Sequence, residues 1–254
     1  MKEVMEYFDR ESHNYEKIRW RGNFVSQYDF RVTKRALKPI MNESNSLIDL
    51  GCGPGTWLNE FHEDHTWCVG VDVSREMLKL CLGRRLPNVD VVCADCHYLP
   101  FRDQVFDSAL SSRSFIYLDF GKALREVNRI LKNNGSIVLL IQVERRSLYF
   151  KLRERLKKST KFLETADYLK AHILLTKVSE YFQVEQTKGV IFHEHISLRA
   201  LASRPIALLL CIYLKMLFLF ERQFSVSFLK YFYASSIAIK AKKLQKQVRR
   251  IEIA

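Results

Sequence analysis

The stretch that most restricts this chain is Leu47-Ile48-Asp49-Leu50-Gly51-Cys52-Gly53-Pro54-Gly55-Thr56-Trp57. A short apolar run, which reads as a buried strand, leads into three glycines at alternate positions, and a helix is expected to start just beyond them. Glycine is required where the backbone turns tightly and a ligand must approach without a Cβ in the way. A dinucleotide fingerprint, G-x-G-x-x-G, would need glycine or alanine at 56, where Thr56 stands. With no pyrophosphate to cradle, the G-x-G-x-G spacing suits a nucleoside carrying an amino-acid tail.

Two further carboxylates fall where such a ligand would need them. Asp72 lies 21 residues after Gly51, at the end of a second apolar run, where it can accept both ribose hydroxyls of an adenosine. Ser74 reads as the N-cap of the next helix, with Glu76 in its first turn. At the end of a third run, Asp95 can accept from the adenine amino group and Cys96 can offer a backbone donor to the ring.

From 46 to 143, apolar runs alternate with amphipathic segments, the pattern of a βαβ sheet flanked by helices. Strand candidates are 47–50, 67–71, 89–93, 106–110 and 136–143, each short and apolar enough to be buried on both faces. Ala123, Leu124, Val127, Ile130 and Leu131 form one helical face, which ends in a glycine stop at Asn133-Asn134-Gly135. Upstream, 1–37 looks helical and carries Tyr7, Phe8, Tyr15, Trp20, Phe24, Tyr28 and Phe30, as a lid over the core would. Downstream come a basic helical stretch at 145–161, an amphipathic segment ending near Phe182, and a hairpin of 184–186 with 190–193 that would add two strands. The tail holds apolar segments at 206–220 and 224–239, followed by Lys240, Lys242, Lys243, Lys246, Arg249 and Arg250. Fifteen helical residues reach only about 22 Å, short of a bilayer core of roughly 30 Å.

The net charge of +13 is uneven: residues 1–144 carry 19 Lys and Arg against 20 Asp and Glu, and 145–254 carry 22 against 8. The second segment is therefore at +14, which suggests an anionic partner, whether phospholipid, nucleic acid or a phosphorylated substrate. No apolar stretch follows the charged start Met1-Lys2-Glu3-Val4-Met5-Glu6, so no secretory signal is expected and the cytoplasm is the expected compartment. Of the six cysteines, at 52, 68, 81, 93, 96 and 211, most sit in apolar runs, as free buried thiols do.

Taken together, Asp49 through Gly55, Asp72, Ala94-Asp95 with Leu99-Pro100-Phe101, Phe106-Asp107, and 123–132 resemble the class I S-adenosylmethionine-dependent methyltransferase superfamily. The resemblance is closest to its small-molecule, quinone and lipid branch, and covers about 1–145, with Tyr7-Phe8-Asp9 and Tyr15 similar to that branch's N-terminal segment. It implies an α/β, Rossmann-like, seven-stranded, mostly parallel sheet flanked by helices, with a helical, basic and apolar C-terminal extension. The expected divisions are a helical lid at 1–37, a methyltransferase core with its sheet-completing hairpin at 38–200, and the extension at 201–254.

The cofactor implied is S-adenosyl-L-methionine. The resemblance assigns it Asp49, Gly51, Cys52, Gly53 and Gly55 at the methionine end, Asp72 at the ribose with Val73 and Met77 alongside, and Asp95 and Cys96 at the adenine. Ser111, Ser112 and Arg113 are expected to floor the cavity near the transferring methyl. Candidate bases are Tyr117, Asp119 and His193, with His97 and His195 behind them; the branch often has a histidine where Ile116-Tyr117 stands here. His193-Glu194-His195 lacks a third ligand and Cys93-x-x-Cys96 is a lone pair, so no metal is expected.

The expected partner is a small-molecule or lipid-linked acceptor, with peripheral contact of the tail to an anionic membrane on its cytoplasmic face and a homodimer as further expectations. RNA methylation draws on the basic half, but Ser111-Ser112-Arg113-Ser114 replaces the Asn/Asp-Pro-Pro-Tyr loop of enzymes that act on base amino groups. A catalytically silent partner subunit is the third reading, which the cofactor motifs oppose.

Overall fold

The computed structural model describes residues 1–15, 24–41, 43–143, 171–190 and 236–244. Two helices come first, α1 (Lys2–Glu11) and α2 (Phe24–Leu37). Then strands and helices alternate: β1 (Ser44–Leu50), α3 (Thr56–Phe61), β2 (His65–Asp72), α4 (Arg75–Leu82), β3 (Val89–Cys93), β4 (Phe106–Ser112), α5 (Phe120–Ile130) and β5 (Leu131–Gln142). After these come α6 (Ala171–Ser179), β6 (Phe182–Val190) and β7 (Ser236–Lys243).

The strands form one seven-stranded sheet in the order β3-β2-β1-β4-β5-β7-β6. The first five are mutually parallel, and β7 runs antiparallel to both its neighbours. Because β1 lies between β2 and β4, the chain changes direction of winding at the carboxyl end of β1. Open α/β sheets bind their ligands at that crevice.

Successive strand residues point to opposite faces, and here both faces are covered. Ile48, Leu50, Val69, Val71, Ala109, Ile137 and Leu139 pack under α5 (Ala123, Leu124, Val127, Ile130) and α6 (Leu174, Val178). Leu47, Cys68, Leu110, Val138 and Leu140 pack under α2, α3 and α4 through Leu37, Trp57, Phe61 and Leu78. This explains why the strands read as unbroken apolar runs rather than alternating ones. Trp57 is stacked between Phe30 and Phe61, at 5.4 and 6.0 Å between ring centres.

The sheet has the seven strands expected, but its last two come from other places than the expected hairpin. Residues 182–190 form one strand, β6, and its partner is β7, not 190–193. The end of the presumed apolar helix at 224–239 and the first tail lysines, Lys240, Lys242 and Lys243, are therefore strand in residues 236–243. Ile237, Ala238, Ile239 and Ala241 are fully buried between β5 and β6. A short apolar run carries no periodicity that separates a strand from a buried helix, and β-branched Ile237 and Ile239 favour the strand. The segments at 145–161, 206–220 and 224–235, and His193 and His195, lie outside the described residues.

The glycine stop is also placed differently. Helix α5 ends at Ile130, Leu131 is already extended, and the left-handed residue of the turn is Asn134, at φ 70°. Gly135 is needed for another reason: a Cβ there would lie 2.9 Å from the Lys132 carbonyl oxygen and 3.1 Å from that of Asp107.

Since β7 alone joins β6 to the rest of the sheet, a chain ending at residue 235 would leave β5 and β6 with unpaired edges and uncovered apolar faces. Such a truncation is expected to lose the cooperative thermal transition of the full chain in circular dichroism. A truncated chain that melts cooperatively near the full-length temperature would contradict this placement.

Candidate active site

The carboxyl end of β1 delivers the glycine loop. Gly51 and Gly53 both have positive φ, 69° and 53°, which only glycine adopts without strain. At Gly51 a Cβ would fall 2.3 Å from Ser114 Cβ, so the absence of a side chain lets the segment after β4 pack onto the loop. At Gly53 nothing lies within 4 Å of that position, and the backbone opens onto a cavity instead.

Asp72 sets the shape of the loop. Its Oδ2 accepts from the Gly53 N–H at 2.8 Å and its Oδ1 from the Ser74 N–H at 2.9 Å. Ser74 caps α4 as expected, its hydroxyl accepting from the Met77 N–H at 3.2 Å. The same hydroxyl donates to the Asp9 carboxylate on α1, which also accepts from Glu76 N–H at 3.4 Å. One serine thus joins the helix that covers the cavity to the loop that floors it. The family-like Tyr7-Phe8-Asp9 was the one sequence sign of this latch, which no spacing within β2 or α4 could reveal. Burial pushes the Asp72 carboxyl up from its ordinary value, against the hydrogen bonds it accepts and helped by nearby Asp9.

Asp49, at the second-last position of β1, is almost completely buried, and neither carboxylate oxygen has a hydrogen-bond partner among the described residues. Burial, with the charge of Asp72 nearby, pushes its pKa up to about 8. A buried carboxyl in this state is costly unless something meets it. Below it, Cys52 is buried with its thiol 3.5 Å from the Gly53 carbonyl oxygen.

The cavity is lined by Gly51, Gly53, Asp72, Val73, Met77 and Cys96 on the loop side. Ser112, Arg113, Ser114 and Gln142 close it from β4 and β5, and Met1, Val4, Phe8, Tyr15, Tyr117 and Leu118 form an apolar wall. Phe8 meets Tyr117 edge to face at 5.5 Å. Ser111 is placed behind this lining: buried, with its hydroxyl 2.6 Å from that of Ser114, which in turn donates to the Leu50 carbonyl at 2.7 Å. Ser114 is the lining residue that the serine run concealed, because the turn after β4 ends the alternation that a strand would have kept.

Of the candidate bases, Tyr117 lines the cavity. Asp119 is an exposed N-cap of α5, accepting from the Lys122 N–H at 3.1 Å. His97 bridges two elements: Nδ1 lies 2.7 Å from Asp95 Oδ1, and Nε2 accepts from the Asp119 N–H at 2.8 Å. Asp95 also accepts from the His97 N–H at 2.9 Å, so this carboxylate holds the turn after β3 while Cys96 beside it reaches the cavity. His193 lies outside the described residues. Among the described residues no cluster of His, Cys, Asp and Glu is arranged to hold a metal ion.

Residues 48–139, which contain the loop and the three carboxylates, match the methyltransferase domain family. That segment is similar to a methyltransferase domain. A demethylmenaquinone methyltransferase of Corynebacterium urealyticum is 31% identical over 140 residues, covering 54% of this chain and 59% of that protein. The matches to the first two curated relatives, both from Methanocaldococcus jannaschii, likewise span only 51% and 61% of those proteins. Two solved structures share the fold over 94% of this chain. One is an S-adenosylmethionine-dependent methyltransferase of Thermotoga maritima (TM-score 0.66, 21% identity, 98% of that chain covered). The other is a Haloferax volcanii methyltransferase-fold chain in complex with the Trm112 methyltransferase activator (TM-score 0.63, 18% identity, 98% covered).

The domain's residues fit S-adenosylmethionine. An unpartnered buried carboxylate at Asp49 suits the ammonium of an amino-acid tail, the open backbone at Gly53 leaves room for the ligand, and Asp72 lines the cavity with acceptor capacity left on both oxygens.

The raised pKa of Asp49 makes the ligand-free domain sensitive to pH with a defined sign. Between the unfolded value near 4 and the folded value of about 8, the folded chain holds a proton that the unfolded chain has released. Stability from this group is therefore fully present below about pH 4 and lost as pH rises towards 8. Asp49→Asn removes that dependence. The melting temperature of the variant should gain on wild type as pH rises from 5 to 8, by the equivalent of roughly 1 kcal/mol per unit. A constant difference across that range would show that Asp49 is ionised in the ligand-free chain.

Proposed function

We propose that this chain transfers the methyl group of S-adenosylmethionine, in line, to a small-molecule or lipid-like acceptor held between the glycine loop and α1. The observation that carries this reading is the wall opposite the loop, where Val4, Phe8, Tyr15, Tyr117 and Leu118 present apolar and aromatic surface to whatever occupies the cavity. Such a wall suits an organic acceptor buried on most of its surface.

The bound cofactor supplies a methyl on a sulfonium, which is already a good leaving group. The residues around it therefore need mainly to orient the acceptor and exclude water, and alignment of this kind can supply about 7–11 kcal/mol. The Asp9–Ser74 latch holds α1 over the cavity, and the Phe8–Tyr117 contact fixes the wall against it. Tyr117 is the proposed base where the acceptor must lose a proton, being the candidate whose side chain lines the cavity.

The demethylmenaquinone methyltransferase relative supports a small, apolar acceptor, and the +14 charge of residues 145–254 favours an anionic surface from which a lipid-like one could be drawn. A second reading, an activator-dependent or silent subunit, draws on the Haloferax volcanii complex.

The test is incubation of the protein with cell extract and methyl-labelled cofactor, followed by separation of lipid, RNA and small soluble pools and mass spectrometry. Label in the lipid or small soluble pool is expected, and Tyr117→Phe should lower its rate by about a hundredfold or more where that hydroxyl takes a proton. Label confined to RNA would overturn the acceptor class. S-adenosylhomocysteine binding with no label in any pool would favour the second reading.

A further inference from the structure

The backbone of Arg113 is bent in a way that arginine rarely accepts. Its φ is +67°, in the left-handed region where a bulky residue is an outlier. Two anchors impose it. On one side the Arg113 N–H donates to the Leu140 carbonyl at 2.8 Å, carrying the β4–β5 ladder one residue past the end of β4. On the other, the Ser114 hydroxyl is fixed by Leu50 and Ser111 against the glycine loop. The chain has to turn between them, at residue 113.

Glycine would make that turn without strain, and the loop facing it already uses glycine three times. Strained residues at such places persist where the side chain serves the site. Here Arg113 is one of the residues that line the cavity, and its Nε and Nη2 are buried. Arg113 has the only basic side chain among the described lining residues, and Asp72 the only acidic one. Ser112, next to it in the lining, has a buried hydroxyl with no hydrogen-bond partner among the described residues. A planar fork of N–H donors with a hydroxyl beside it matches an oxyanion that can accept two parallel bonds.

We propose that the methyl acceptor carries an anionic group, a carboxylate or a phosphate, and that Arg113 and Ser112 receive it. The inference rests on the methyl-transfer reading and narrows its substrate class. It makes Arg113 a specificity-determining residue: the guanidinium orients the acceptor while the apolar wall holds its body.

The experiment uses the full chain, labelled with 15N arginine and saturated with S-adenosylhomocysteine. The Nε–H resonance of Arg113 is assigned by its loss in Arg113→Gly, which the left-handed backbone accepts without strain, and in Arg113→Lys. Benzoate, inorganic phosphate and the neutral benzamide are then titrated separately. A saturable shift of that resonance with benzoate or with phosphate, and none with benzamide, is expected; the anion that saturates at lower concentration tells a carboxylate acceptor from a phosphorylated one. By calorimetry the Arg113 variants should bind S-adenosylhomocysteine within about twofold of wild type. Equal shifts with benzamide, or no saturation by either anion in the loaded protein, would overturn the proposal. So would a loss of about tenfold or more in S-adenosylhomocysteine affinity in the variants, since Arg113 would then hold the cofactor's own carboxylate. Wild-type protein that fails to bind S-adenosylhomocysteine would instead defeat the methyl-transfer reading beneath it.

Discussion

The site depends on one buried carboxylate that two backbone N–H groups reach from different elements. Asp72 ends β2, and by accepting from Gly53 and Ser74 it fixes the glycine loop and the start of α4 relative to each other. Ser74, set by that bond, caps α4 and donates to Asp9, so the position of α1 follows from the same residue. The floor, side and cover of the cavity are in this way referred to one point at the carboxyl edge of the sheet. Each Asp72 oxygen keeps a further lone pair, so the group that organises the site is also free to meet a ligand.

That arrangement is expensive for the ligand-free chain. Asp49 and Asp72 are both buried, and burial pushes both carboxyls upward, helped by the charge of Asp72 at Asp49 and by that of Asp9 at Asp72. Left-handed Arg113 adds backbone strain on the opposite rim. The sheet can hold these groups because it is covered on both faces, and buried strands of this kind leave the loops at their ends little freedom. Asp72 and Arg113 line one cavity, and Asp49 is buried two residues before Gly51 of the same lining, which is where strain and unmet polarity are expected when they serve binding.

Much of this was legible in the chain because local chemistry and global fold agree from β1 to β5. Short apolar runs bounded by glycine and aspartate, a serine cap before α4 and an i, i+4 face on α5 each identify their element without reference to the others. The legible part ends where pairing becomes remote. Residues 182–190 carry strand character, but nothing near them names Ser236–Lys243 as the partner, and the lysines of that strand look like the solvated end of a helix until its isoleucines are seen buried. Within the site, Asp72, Gly51 and Gly53 line the cavity and stood out by their spacing, whereas Asp49 was marked only by the family resemblance, the Asp9 latch crosses between distant segments, and the exchange of Ser111 for Ser114 in the lining depends on a turn. His97 and Asp119 looked like acid–base candidates by residue type, and the structure instead joins them to each other across the β3 and α5 turns.

The claim on which the account rests is that Asp72 both organises the loop and meets the cofactor. It is tested most directly by calorimetric titration of wild type and Asp72→Ala with S-adenosylhomocysteine, with melting curves to confirm that both are folded. Hydrogen bonds to a charged group are worth about 1.5–3 kcal/mol, so a folded variant should bind roughly tenfold to more than a hundredfold more weakly. Unchanged affinity in a folded variant would contradict the account and remove Asp72 from the site.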